Sequence, residues 1–154
     1  PYTTLFRSKQ DGATFNIEGN NIISYGADIE IFNGATFTMK GDRYCGHAGA
    51  NIGLTVSCMD SITIEKDVQI GRNVTIRDNN GNHFMNLQGY KNSKPIVLKE
   101  KSWLCEQCLV MPGVTVGEGA IVGGRAVGLA NIPDHSLVSG NPAQVIYNDV
   151  LWKY

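Results

Sequence analysis

Aliphatic residues recur at every sixth position along most of this chain, and that period constrains its fold more than any other feature. The anchors run Ile17, Ile23, Ile29, Ala35, then Ile52, Cys58, Ile64, Ile70, Ile76, and after a gap Leu98, Leu104, Val110, Val116, Val122. Four residues beyond many of them stands a second small or branched residue: Val56, Ile62, Val68, Val74, Ser102, Cys108, Val114, Ala120, Ala126. A period of six suits neither an α-helix, which repeats at about 3.6 residues, nor a simple two-sided strand. It suits short strands separated by corners, with two side chains per unit pointing inward. The residues just after the anchors, such as Gly53, Glu65, Gly71, Gly117 and Gly123, are turn-tolerant or acidic, and glycine accepts the backbone angles of a corner. Three units close one coil, so the sequence predicts an all-β, single-stranded parallel β-helix of roughly five coils without long helices.

The 154 residues fit one domain. Thirteen Lys plus Arg against fourteen Asp plus Glu leave a net charge of -1 without a basic stripe, which excludes nucleic acid as the expected partner. No apolar run approaches the roughly 20 residues of a membrane span, and the start of the chain lacks the pattern of a secretory signal. The chain therefore reads as cytoplasmic, with no membrane span. Its four cysteines are expected to be free thiols. The isolated pair Cys105 and Cys108 gives little support to a zinc or redox site. The opening PYTTLFRS has no initiator Met and resembles a translated adapter, so residues 1–8 are expected to be a non-native scar and residues 9–154 the domain, truncated at its N-terminus.

Function is expected where the period fails: residues 40–51, residues 77–97, and the tail after Val127. The second break opens with RDNNGNHF, residues 77–84, a run of amides around one histidine. Asparagine side chains both donate and accept hydrogen bonds, and imidazole titrates near neutral pH.

The segments SWLCEQCLVMPGVTVGEGAIVGG and IPDHSLVSGNPAQVI resemble the C-terminal half of the hexapeptide-repeat acyltransferases, a family that includes sugar O-acetyltransferases. The resemblance implies a left-handed β-helix with a protruding loop and a short C-terminal tail, a homotrimer with sites between subunits, and acetyl-CoA as acyl donor without a metal. Carried onto this chain it implies His83 as the general base, with Asn82 where the family usually has glycine. Asp78 is then expected to orient the base or touch the acceptor, and Asn79, Asn80 and Asn82 to contact a sugar or polysaccharide hydroxyl. Tyr90, Lys91 and Asn92 are further candidate acceptor contacts. Trp103, Glu106, Gly124, Arg125, Leu129, Ala130 and Gln144 are the cofactor-binding candidates. Leu129 and Ala130 stand where the family has Thr and Lys, and Gln144 and Tyr147 where basic residues are common, which leaves Arg125 and, less directly, Lys153 to meet CoA phosphates. The tail YNDVLWKY is expected to pack on the last coil or a neighbour.

Two other readings compete. A zinc hydrolyase resembling γ-class carbonic anhydrases would use His47 and His83, but the expected third histidine is Gln88, and His47 and His135 fit surface loops equally well. A noncatalytic β-helix scaffold is the second.

Overall fold

The computed structural model describes residues 5–42 and 49–153, giving the backbone alone for residues 5–9. The first coil is β1 (Leu5–Lys9), β2 (Thr14–Glu18) and β3 (Ile22–Ile23), and the second is β4 (Asp28–Ile31), β5 (Thr36–Lys40) and β6 (Gly49–Ala50). The third is β7 (Thr55–Cys58), β8 (Ser61–Ile64) and β9 (Gln69–Ile70); the fourth is β10 (Thr75–Arg77), β11 (Ile96–Leu98) and β12 (Trp103–Leu104). The fifth is β13 (Leu109–Val110), β14 (Thr115–Val116) and β15 (Ile121–Val122), followed by β16 (Val127–Gly128), β17 (Leu137–Ser139) and β18 (Gln144–Tyr147).

Each strand pairs in parallel with the strand three further on, which makes a three-sided prism. The first face is β1-β4-β7-β10-β13-β16, the second β2-β5-β8-β11-β14, and the third β3-β6-β9-β12-β15-β17-β18. Among the described strands only β18 runs antiparallel, against β17. β1 spans the expected boundary after residue 8 and pairs with β4. Where the period is strict, Leu98 lies beside Val116 and Leu104 beside Val122, so one coil is eighteen residues (116 − 98 = 18). Corner backbones continue the ladder, as when the Trp103 N–H donates to Ala120 O at 2.8 Å and the Ile121 N–H to Ser136 O at 2.7 Å.

All nine second-position residues are buried, and so are the anchors from Cys58 onward. Each large aliphatic side chain sequestered in this way stabilises the prism by roughly 1.5–3 kcal/mol. Two anchors depart from expectation. Ile52 is 40% exposed at a corner, because β7 and β8 run four residues and turn Val56 and Cys58, then Ile62 and Ile64, inward by strand alternation. The inward residues before them are Ala50 and Leu54. Ile17 keeps its register beside Met39 but is 47% exposed, because β2 is the outermost strand of its sheet.

Of the expected corner glycines, Gly53 takes the left-handed backbone, at φ 78°, whereas Gly71, Gly117 and Gly123 do not. Several other corners place a non-glycine residue in that conformation, including Asp67, Asn73, Lys101, Gln107, Arg125 and His135. Gly117 is needed for close approach instead: a Cβ there would meet the Asp134 nitrogen of the next coil at 2.4 Å.

The tail packs on the last coil, where Tyr147 pairs with Leu137, and then runs back along the side of the prism. The Val150 N–H donates to His135 O at 2.8 Å, Trp152 Nε1 donates to Lys101 O at 3.0 Å, and the Trp152 ring lies 5.7 Å from that of Trp103. Among the described residues there is no helix long and apolar enough to cross a membrane.

Candidate active site

The prism has three ridges, and the sequence-expected residues fall on different ones. Residues 78–95 leave the ridge between the first and second faces, between β10 and β11. Leu129 and Ala130, both exposed, follow β16 on that same ridge. Glu106, Gln107, Gly124 and Arg125 occupy the ridge between the third and first faces and line a shallow cavity of about 320 Å³.

The excursion is closed at its base by an isolated bridge between Asn79 and Ser93, and by the Lys94 N–H donating to Asp78 O at 2.8 Å. Asp78, fully buried, accepts from the N–H groups of Met59 at 2.7 Å and Asp60 at 2.8 Å, one coil away. Asn79, 1% exposed, donates from Nδ2 toward Ser57 and Asp78 and accepts from the Gly81 N–H at 2.9 Å. Inside the loop, Asn80 Nδ2 donates to the Tyr90 hydroxyl at 3.2 Å, and that hydroxyl lies 3.3 Å from both His83 O and Asn92 Oδ1. Asn92 Nδ2 donates to Gly81 O.

This bonding revises part of the sequence expectation. Asp78 does not orient His83, and neither Asp78 nor Asn79 can touch an acceptor in this conformation, because both are buried and bonded within the chain. They shape the loop, as do Asn80, Tyr90 and Asn92. Asn82 and His83 are exposed, with no side-chain hydrogen bond among the described residues. The imidazole is thus held by its backbone, through Tyr90 and His83 O, and its ring is free to meet a ligand.

On the other ridge Arg125 adopts φ 59° and donates from Nε to Gln107 Oε1 at 2.9 Å, leaving the rest of its guanidinium outward. Gly124 is exposed, and a Cβ there would stand 3.4 Å from Glu106 O, so its smallness keeps the shelf open. Gln144 pairs with Ser139, whose side chain lies against Gly123, which brings it to the same ridge. Trp103 is not brought there, since its ring faces Trp152 and packing accounts for it. Arg72 was missed by sequence reasoning. Its carbonyl accepts from the Gln107 N–H at 2.9 Å, which puts an exposed Arg72 one coil from Glu106. Aligning Gly71-Arg72-Asn73 with Gly123-Gly124-Arg125 by the repeat was the available signal.

The described cysteines are free. Burial pushes the Cys108 thiol up to about 12 and raises Cys105, and burial beside Asp78 raises Cys58, so none is a ready nucleophile. His47 lies outside the described residues, and among the described residues no group of three His, Cys, Asp or Glu side chains is placed to hold a metal ion. His135 lies on the ridge between the second and third faces, under the tail.

No family model matches the chain. A protein of Escherichia coli K12 provisionally named the lipopolysaccharide biosynthesis O-acetyl transferase WbbJ is 28% identical over 102 residues, covering 59% of this chain and 52% of that one. The crystal structure of the polySia specific acetyltransferase NeuO superposes with TM-score 0.73 at 25% identity, over 94% of this chain and 65% of that one. Galactoside acetyltransferase in complex with coenzyme A gives TM-score 0.63 at 23% identity, over 90% and 65%. The chain is similar in sequence to acetyltransferases and shares its fold with hexapeptide-repeat acetyltransferases. That fold is a left-handed parallel β-helix. The chain spans about a third to about half the length of the curated relatives it matches.

Proposed function

We propose that this chain is an O-acetyltransferase that moves the acetyl group of acetyl-CoA to a sugar or polysaccharide hydroxyl, with His83 as general base at a seam between two subunits of a homotrimer. One observation carries the reading. The free imidazole and the Glu106–Gly124–Arg125 shelf lie on different ridges of one prism, so the ridges of two neighbouring chains are needed to bring base and shelf together. The relatives' names and the coenzyme A bound to galactoside acetyltransferase support the chemistry.

The shelf fits the donor in two respects. The uncovered backbone at Gly124 leaves room for a slender pantetheine arm, and the outward guanidiniums of Arg72 and Arg125 suit phosphate oxygens. They replace the basic residues that the resembled family carries at Ala130, Gln144 and Tyr147. In the reaction His83 takes the proton of the acceptor hydroxyl as its oxygen attacks the thioester carbon. The oxyanion collapses, the C–S bond breaks, and the imidazolium returns the proton to the CoA thiolate.

The test is release of free thiol from acetyl-CoA with an acceptor panel, together with native mass spectrometry. Mixing chains carrying His83→Ala with chains carrying Gly124→Trp is the decisive arm. A site shared between chains is expected to recover, in the mixture, activity that neither parent has. Failure to recover it in mixed trimers verified by mass would overturn the shared site.

A further inference from the structure

The amides of the excursion fall into two groups. Asn79, Asn80 and Asn92 spend their hydrogen-bonding groups inside the loop. Asn82, together with Gln10, Asn33 and Ser93, makes no side-chain hydrogen bond among the described residues. These four unspent polar side chains line one groove of about 420 Å³ with Phe32 and Met59. Gln10 lies between β1 and β2, Phe32 and Asn33 between β4 and β5, Met59 between β7 and β8, and Asn82 and Ser93 in the excursion. The groove therefore runs along the His83 ridge across four successive coils, three strand spacings of about 4.8 Å each.

Its chemistry is that of a carbohydrate track without charge. Each amide offers two donors and an acceptor, and the half-buried Phe32 and Met59 offer apolar surface for the C–H face of a sugar ring. Among the described residues no ionisable side chain lines it. The exposed residues that follow Gln10 and Met59 are Asp11 and Asp60, both carboxylates. Lys94, which follows Ser93, turns away, its stem lying 3.1–3.2 Å from where a Cβ on Gly113 would stand, toward the fifth coil. Among the described residues a polyanion would meet those carboxylates with no cation in the lining.

We infer that this groove is an extended acceptor subsite for an uncharged glycan chain, holding several rings along the ridge while one hydroxyl reaches His83. The inference rests on the acetyltransferase reading above and narrows its acceptor class. It also sets this chain apart from its structural neighbour specific for polySia, a polyanion.

Thiol release is compared between galacto-oligosaccharides and oligogalacturonides of one to four rings, which share a ring but differ in a carboxylate. The uncharged series is expected to be favoured, with kcat/KM rising with length. Asn33→Ala and Gln10→Ala are each expected to raise KM for the four-ring acceptor about five- to tenfold, the scale of one lost hydrogen bond, with kcat and one-ring kinetics unmoved. Equal or better use of oligogalacturonides, or a length dependence unchanged in the double variant, would overturn the groove and leave the acetyltransferase reading standing. Absence of thiol release with every acceptor would count against that reading alone. In that event saturation-transfer NMR with the four-ring galacto-oligosaccharide decides the groove. Binding that the double variant loses supports it, and no binding to the unaltered protein sinks it.

Discussion

The coils from β11 onward and the excursion of residues 78–95 solve the same problem, satisfying the backbone, by opposite means. In the coils, main chain bonds to main chain eighteen residues away, and the side chains either fill the core or face outward. In the excursion the main chain leaves its neighbours, and side-chain amides and one tyrosine take over the bonding. The regular ladder is held mainly by its main chain, whereas the excursion spends several polar side chains to present one free imidazole.

Removing that imidazole should give the largest effect. His83→Ala is expected to lower acetyl transfer by about 10²–10⁴-fold while leaving the unfolding midpoint unchanged, since the ring makes no hydrogen bond among the described residues. A fall in stability of similar rank to the fall in rate would show that the ring supports the loop. Asp78→Ala should do the reverse. Two part-buried N–H groups, of Met59 and Asp60, lose their acceptor, so stability is expected to fall by about 2–5 kcal/mol in urea titration. A loss under about 1 kcal/mol would mean that the excursion is anchored elsewhere.

These two residues also mark how far the sequence was legible. The period revealed the prism, its inward positions from Cys58 onward, and the place where it opens, because burial repeats at fixed spacing. It misplaced Ile52, since a four-residue strand adds an inward position that a strict count of six does not contain. The amide run marked the loop but not the division of labour within it. Asp78 and Asn80 look alike in sequence to Asn82, and only contacts made across the coil or across the loop separate spent groups from free ones. The cofactor candidates scattered for a related reason: neighbours in sequence, such as Arg125 and Leu129, sit on different ridges once the chain turns a corner.

A matched pair of glycines sharpens the comparison at smaller amplitude. Gly119, in a regular coil, and Gly81, in the excursion, both have left-handed backbones, with φ +61° and +67°. An alanine pays the same conformational cost of about 1–2 kcal/mol at either site. At Gly119 the new Cβ would also stand 2.6 Å from His135 Nδ1, whereas at Gly81 nothing lies within 4 Å. Gly119→Ala is therefore expected to destabilise by roughly 1–3 kcal/mol more than Gly81→Ala, the usual range for overpacking. Equal losses would mean that the coil yields as readily as the loop.

The smallest effect tests whether the coils tolerate an unspent polar group at all. Ser102 points inward, fully buried, and its Oγ has no hydrogen-bond partner among the described residues. A buried hydroxyl in that state costs about 1–3 kcal/mol relative to one left in water, while its loss opens a void of only one atom. Ser102→Ala is accordingly expected to raise the urea midpoint, by the equivalent of about 0.5–1 kcal/mol. Should the variant be less stable instead, the hydroxyl has a partner, and a coil core would then share with the excursion the use of side-chain hydrogen bonds that sets the two regions apart.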